Sequence, residues 1–209
     1  MTPDDPIARA AADVTGLYAR HADLWDRVRG PGLRLEAGWM ARFAALPPPG
    51  GRILDLGCGT GRPLSAWLLS QGFAVTGVDS SAPAIALARE RLPEGTWVCA
   101  DMRGLDLAGT FDGLLAWDSL FHLTPADQRA LFPVLGAHAA PGAVLMFTSG
   151  PDAGVAMGEF GGDPLYHASL SPDAYRSLLE AEGFDVLDFT PEDPECGGHS
   201  VWLARRRLG

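Results

Sequence analysis

The chain has few cysteines, no excess of positive charge and no long apolar run, and each shortage closes off a class of protein. Three cysteines, Cys58, Cys99 and Cys196, stand far apart in 209 residues. An odd number at wide spacing makes neither a disulfide framework nor a zinc knuckle, and it fits a reducing compartment. Acidic residues outnumber basic ones 26 to 16, for a formal net charge of -10. Such a chain repels nucleic acid and anionic membrane, so neither is an expected partner. No apolar stretch approaches the roughly 20 residues of a membrane span. The first residues, MTPDDPIARAAADV, lack the basic-then-apolar order of a signal peptide. The expected location is cytoplasmic. His138, His167 and His199 show no metal-ligand spacing, and no metal is expected. No internal repeat is visible.

What is present is an ordinary globular composition, with 47% apolar and 20% charged residues, at a length that suits one domain. Apolar residues at helical spacing predict a helix over 6–22, and a second apolar stretch covers 33–46. PPPGG at 47–51 ends it. From residue 52 strands and helices alternate. Strands are predicted at 52–56, 73–78, 96–100, 111–117 and 143–148, with helices from 61, 82 and 125 between them. Alternation of this kind gives parallel βαβ units and a doubly wound sheet. Residues 150–168 are Gly-rich and read as irregular. A helix is predicted over 171–183. Two strands, 184–190 and 199–206, follow with only a loop between them, so they pair antiparallel. The expectation is an α/β, Rossmann-like, seven-stranded mixed sheet. The domain has an N-terminal helical lid (1–49), a core (50–150), a substrate-side loop (150–170) and a terminal helix and hairpin (171–209).

RILDLGCGTGRP (52–63) carries the chemistry. Its glycines, Gly57, Gly59 and Gly61, follow a strand. The dinucleotide fingerprint G-x-G-x-x-G places its third glycine one residue later, and position 62 is Arg here. Asp55, just before the turn, is a poor neighbour for a pyrophosphate and a good one for an ammonium or for the turn amides. A ligand with a cationic end and no phosphate is the better fit. Asp79 ends the second strand about 20 residues on, where an acid can accept both ribose hydroxyls. Asp101 ends the third strand. Trp117 to His122 leave the fourth.

DLGCGTG, VTGVDSS, CADM and FDGLLAWDSLFHL resemble, in this order, the first four motifs of the class I S-adenosylmethionine-dependent methyltransferases. The resemblance implies the strand order 3-2-1-4-5-7-6 with the last strand antiparallel. It implies S-adenosyl-L-methionine as cofactor, with S-adenosyl-L-homocysteine as product. Gly57, Cys58 and Gly59 would meet the methionine part through their backbone, with Gly61 and Asp55 completing the turn. Asp79 would hold the ribose and Ser80 would sit beside the adenine. Asp101 would take the adenine amino group and the Met102 backbone a ring nitrogen. Ala116 and Trp117 would face the methionine part. Tyr18 resembles the tyrosine that closes over the cofactor in small members.

His122, just past strand four, is the candidate general base; its other reading is a surface histidine bonded to backbone. Trp117 is equally open to core packing. Glu159, Tyr166 and His167 in the irregular segment are candidate substrate contacts, because loops on a rigid scaffold carry specificity. With about 50 residues before the core and no inserted domain, a small-molecule acceptor is expected. The protein would act as a monomer or homodimer. Methyl transfer is an in-line displacement, and its O, N, S or C acceptor is open. The alternatives are a catalytically silent cofactor-binding protein and a nicotinamide oxidoreductase.

Overall fold

The computed structural model describes residues 5–208. Residues 1–4 and 209, which the expected domain includes, lie outside them. Three helices open the chain: α1 (Pro6–Arg20), α2 (Ala22–Arg29) and α3 (Ala37–Ala44). The Asp5 carboxylate caps α1 by accepting from the Ile7 amide at 3.0 Å, and Pro6 occupies the first helical position, where no amide donor is needed. The single helix expected over 6–22 breaks at His21, and α2 continues beyond it.

The alternating region follows as β1 (Arg52–Leu56), α4 (Leu64–Ser70), β2 (Ala74–Asp79), α5 (Ala82–Arg91), β3 (Thr96–Cys99), β4 (Phe111–Ala116), α6 (Pro125–His138) and β5 (Ala139–Ser149). Ser81 and Thr124 cap α5 and α6, accepting from the amides of Ala84 and Asp127, with Pro83 and Pro125 in the first turn of each helix. Then come β6 (Gly154–Phe160), β7 (Asp163–Ser169), α7 (Pro172–Ala181), β8 (Phe184–Asp193) and β9 (His199–Arg206).

Seven strands form one sheet in the order β3-β2-β1-β4-β5-β9-β8. β1 to β5 run parallel, and β9 is antiparallel to both β5 and β8. Counted along this sheet alone, the order is 3-2-1-4-5-7-6 with the last strand antiparallel, as expected. Its strands are apolar on both faces, as a sheet covered by helices on each side requires. On one face Leu54, Leu114, Leu145 and Phe147 pack with Leu131, Phe132 and Leu135 of α6 and Tyr175 and Leu179 of α7. On the other, Ile53, Leu115, Val144 and Met146 pack with Trp39, Met40 and Phe43 of α3 and Leu64 and Leu68 of α4. Neighbouring residues point to opposite faces, which is the two-residue period of a strand.

The segment read as irregular is a β-hairpin, β6–β7, outside the main sheet. Gly161 and Gly162 form its two-residue turn, both with positive φ (62° and 88°), which a tight hairpin turn favours. β7 packs under α1: Tyr166 and Ala168 are buried together with Ala10, against Ile7, Ala11 and Val14. The hairpin therefore supports the N-terminal helix.

Candidate functional site

A crevice runs along the carboxyl ends of β1 to β4, where ligands bind in open α/β sheets. α1 and α2 cover it. It opens to solvent at its mouth.

The turn after β1 forms its floor. Gly57, Gly59 and Gly61 all have positive φ, of 77°, 55° and 75°. Gly57 is needed for space as well: a Cβ there would lie 2.3 Å from that of Ser119. At Gly59 a Cβ would project into the gap below Trp25 of α2, 3.6 Å from its indole nitrogen. Gly61 behaves differently. It does not line the crevice, and a Cβ there would meet Leu92 and Trp97 within 3 Å. Gly61 therefore packs against these side chains.

Asp79, at the end of β2, is held by two backbone donors. The Gly59 amide donates to Oδ2 at 2.9 Å and the Ser81 amide to Oδ1 at 2.8 Å. Burial raises its pKa, and the two amides oppose that rise. Asp55 is buried, and its carboxylate accepts from the Ser65 hydroxyl at 2.5 Å. Burial pushes it up to about 7, the Ser65 bond opposes this, and the Asp79 charge adds to it. Cys58 lines the crevice as a buried thiol, its pKa raised by burial. Ser80 and Met102 line the far end. Asp101 is there too, but its carboxylate is already gripped by Arg103, with Nη2 at 2.5 Å and Nε at 3.0 Å. This hydrogen-bonded pairing holds Asp101 below the usual carboxylate range.

At the other end stand Tyr18, Trp117, Asp118 and His122. Tyr18 Oη lies 2.8 Å from His122 Nε2, and His122 Nδ1 lies 3.0 Å from the Tyr166 carbonyl oxygen. Burial lowers His122 to about 4. At neutral pH its ring is therefore uncharged. Since a carbonyl only accepts, Nδ1 carries the proton and Nε2 takes the Tyr18 hydroxyl proton as acceptor. His122 is thus a buried histidine tied both to backbone and to the lid. Tyr18 also has its own pKa raised, first by burial and then by the charges of Asp118 and Asp79.

Some expected contacts fall elsewhere. Ala116 is fully buried in the apolar layer with Leu120 and Phe132, and it does not line the crevice. Glu159 is exposed on β6. The Tyr166 ring is buried beneath α1, and only its carbonyl reaches the site, through His122. His167 packs beside His122, with ring centroids 4.9 Å apart, and lines a separate hollow with Phe121 and Ser149. None of the four lines the crevice.

The sequence reading put Trp25 among core or lid packing residues and not in the site, since no helix was expected over 22–29. It also missed Asp118, which lines the crevice with φ 50°, a left-handed backbone that Asp adopts more readily than most residues. Arg62, also lining, makes no ion pair among the described residues.

The lid is latched at both ends. Asp26 of α2 accepts from Thr60 of the glycine turn and from Arg91 of α5, each at 2.6 Å. His21 meets Asp163 of the hairpin at 3.0 Å. No helix in the described residues is long and apolar enough to cross a membrane.

Comparison with known proteins gives a consistent result. The family profile described as a methyltransferase domain matches residues 53–142. An O-methyltransferase of Pyrenophora dematioidea is 30% identical over 85% of this chain and 77% of its own length. A dTDP-3-amino-3,6-dideoxy-alpha-D-glucopyranose N,N-dimethyltransferase of Streptomyces fradiae is 30% identical over 70% of this chain, which spans 58% of that protein. The crystal structure of Burkholderia thailandensis 1,6-didemethyltoxoflavin-N1-methyltransferase, with its substrate and S-adenosylhomocysteine bound, superimposes with a TM-score of 0.74. It is 22% identical and covers 99% of this chain and 92% of the other.

Proposed function

The chain belongs to the class I S-adenosylmethionine-dependent methyltransferases, and from that premise we propose that it transfers the methyl group to a small-molecule acceptor held over β4. The observation that carries the reading is the Asp79 carboxylate, fixed by the Gly59 and Ser81 amides above an apolar-roofed crevice. The residues present fit the cofactor. The Gly57–Gly59 backbone leaves room for its amino-acid end, with Arg62 and the Trp25 indole N–H within the same wall as partners for a carboxylate. Asp79 would take the ribose hydroxyls. Ser80 and Met102 would flank the adenine. Asp101 would reach the adenine amino group with a lone pair that Arg103 leaves free. Asp55 would act through the turn it underlies.

When bound, the cofactor supplies an activated methyl group on a sulfonium sulfur. The chain supplies alignment, which can be worth about 7–11 kcal/mol. Trp117 and Tyr18 wall the transfer region, and α1 and α2 exclude water from it. His122 would fix the Tyr18 hydroxyl rather than take the acceptor's proton, because its Nε2 lone pair is already engaged.

A small-molecule acceptor is supported by the lid of α1 and α2 over the crevice and by the aminosugar in the name of the Streptomyces relative. The test is thermal unfolding with S-adenosylhomocysteine or NADH, followed by methyl transfer from labelled cofactor. Stabilisation by the first ligand alone, with label entering a small molecule, is expected. Stabilisation by NADH, or binding with no transfer to any acceptor, would point to the oxidoreductase or the silent binder.

A further inference from the structure

Above β4, two of the residues that line the crevice, Tyr18 and Asp118, offer a ligand hydrogen-bond acceptors. The polarity of the chain through Tyr18 is set by its far end. The Tyr166 carbonyl can only accept, so it receives the His122 Nδ1 proton at 3.0 Å. Nε2 of the neutral ring then accepts the Tyr18 O–H at 2.8 Å. With its proton committed, Tyr18 Oη has only lone pairs left for the crevice.

Asp118 is fixed in the same sense. His199 Nδ1 lies 2.6 Å from the Cys196 carbonyl, and its Nε2 lies 3.0 Å from Asp118 Oδ1. Carbonyl and carboxylate both accept, so both ring nitrogens donate and His199 is an imidazolium. Its pKa is raised, first by the bond to Asp118. The His199 ring also lies against Trp117, with centroids 5.8 Å apart. The Asp118 amide is held by Thr148 Oγ1 at 2.9 Å, and the Thr148 hydroxyl reaches Oδ1 at 3.5 Å. The other oxygen, Oδ2, makes no hydrogen bond among the described residues and belongs to a residue that lines the crevice.

β4 lies on the opposite side of β1 from β2 and β3. A cofactor spread over β1, β2 and β3 leaves the ground above β4 to the acceptor. We propose that the acceptor atom is an amine nitrogen, recognised through its N–H groups by Tyr18 Oη and Asp118 Oδ2. This rests on the methyltransferase reading. A carboxylate acceptor has no proton to donate and meets a second carboxylate. A hydroxyl donates, but it is a weak nucleophile until it loses its proton, and a carboxylate such as Asp118 is too weak a base to take that proton from an alcohol. A neutral amine brings its own lone pair. That pair forms the new N–C bond while the S–C bond breaks and leaves its electrons on sulfur. The methylated nitrogen is left as an ammonium paired with Asp118 Oδ2, and it gives up a proton to water once released.

The test has two readouts on the whole chain. Histidine nitrogen NMR of the S-adenosylhomocysteine complex should show His122 protonated on Nδ1 alone and His199 on both nitrogens. The opposite His122 tautomer, or a neutral His199 at pH 7, overturns the proposal. The second uses methyl-labelled cofactor with matched acceptors: benzylamine, benzyl alcohol and phenylacetate, and glucosamine, glucose and glucuronate. Label should enter the amines alone. Y18F and D118N should each lower that transfer roughly 10- to 100-fold, the effect of losing one hydrogen bond to a charged or polar group. Both variants should lose some stability, because His122 Nε2 and His199 each lose a partner, so transfer is compared at saturating cofactor and below the unfolding transition. Label in the hydroxyl or carboxylate members, or in none, overturns the amine assignment. Failure of the wild type to bind S-adenosylhomocysteine would instead sink the cofactor reading beneath it.

Discussion

The Gly59 amide donates to Asp79 Oδ2 at 2.9 Å, so the turn after β1 and the end of β2 are joined through one carboxylate. The glycine turn is thereby held in shape by the same group proposed to receive the ribose. Turn and acid act as a unit, and removing the acid has two effects at once.

Asp79→Ala should weaken S-adenosylhomocysteine binding by several kcal/mol. Two ribose bonds to a charged group are lost, at about 1.5–3 kcal/mol each, and the turn loses its brace. Asp79→Asn should fall between the two, because it retains one acceptor oxygen. Titration calorimetry decides the matter, and an unchanged affinity in the alanine variant would remove Asp79 from the ribose.

Asp55 makes stability depend on pH. Its folded pKa of about 7 lies above the ordinary aspartate value of 3.8, so the folded chain binds more protons in that interval. Its contribution is full below about 3.8 and is lost as pH rises through 7. Asp55→Asn keeps the shape and an acceptor for Ser65 but not the charge. The variant should therefore gain stability relative to wild type between pH 4 and pH 7.5, by a few kcal/mol. Urea unfolding across that range is the measurement, and parallel curves would contradict it.

His122 has the opposite linkage. Its folded pKa, about 4, lies below the usual 6.5, so its stabilising share is present above 6.5 and fades as pH falls toward 4. His122→Ala strips partners from Tyr18 and from the buried Tyr166 carbonyl, costing about 1–3 kcal/mol for each group left unpaired. That loss should be largest at pH 7.5 and shrink by pH 5. The rate profile should show no limb of His122 near 6.5, and the appearance of one that vanishes in the variant would restore it as the base.

Asp26 ties the lid to the glycine turn and to α5. Asp26→Ala should leave the sheet intact, speed amide exchange in α1 and α2, and raise the KM for the cofactor. If exchange is unchanged, the latch lies elsewhere.

Much of this was legible in the sequence because it is local. The alternation of strands and helices, and the acids at strand ends, follow from spacing alone. The β6–β7 hairpin was missed because Gly154, Gly158, Gly161 and Gly162 weaken the strand signal. Yet Gly161–Gly162 between two short runs was the turn mark itself. Ala116 went astray by a single position: its neighbour Trp117 lines the crevice, while Ala116 points into the sheet's apolar layer. The Tyr18–His122 bond spans 104 residues, and the His199–Asp118 pair joins the last strand to the exit of the fourth. Spacing carries no trace of either, because both depend on how distant elements close over each other.

The Trp97 indole sits where side chains at three other positions would have to go. A Cβ at Gly61, Gly77 or Gly95 would fall within 3 Å of its ring. Over evolutionary drift these four positions are therefore not free to vary singly. A smaller residue at 97 would have to arrive first, and it would release only Gly95, because the Cys58 sulfur would still lie 2.8 Å from a Cβ at Gly77. Gly61 would stay bound by its φ of 75°. The third glycine of the motif is thus restrained twice, by its neighbour's bulk and by its own backbone. A lineage that lost the tryptophan would still be expected to keep that glycine.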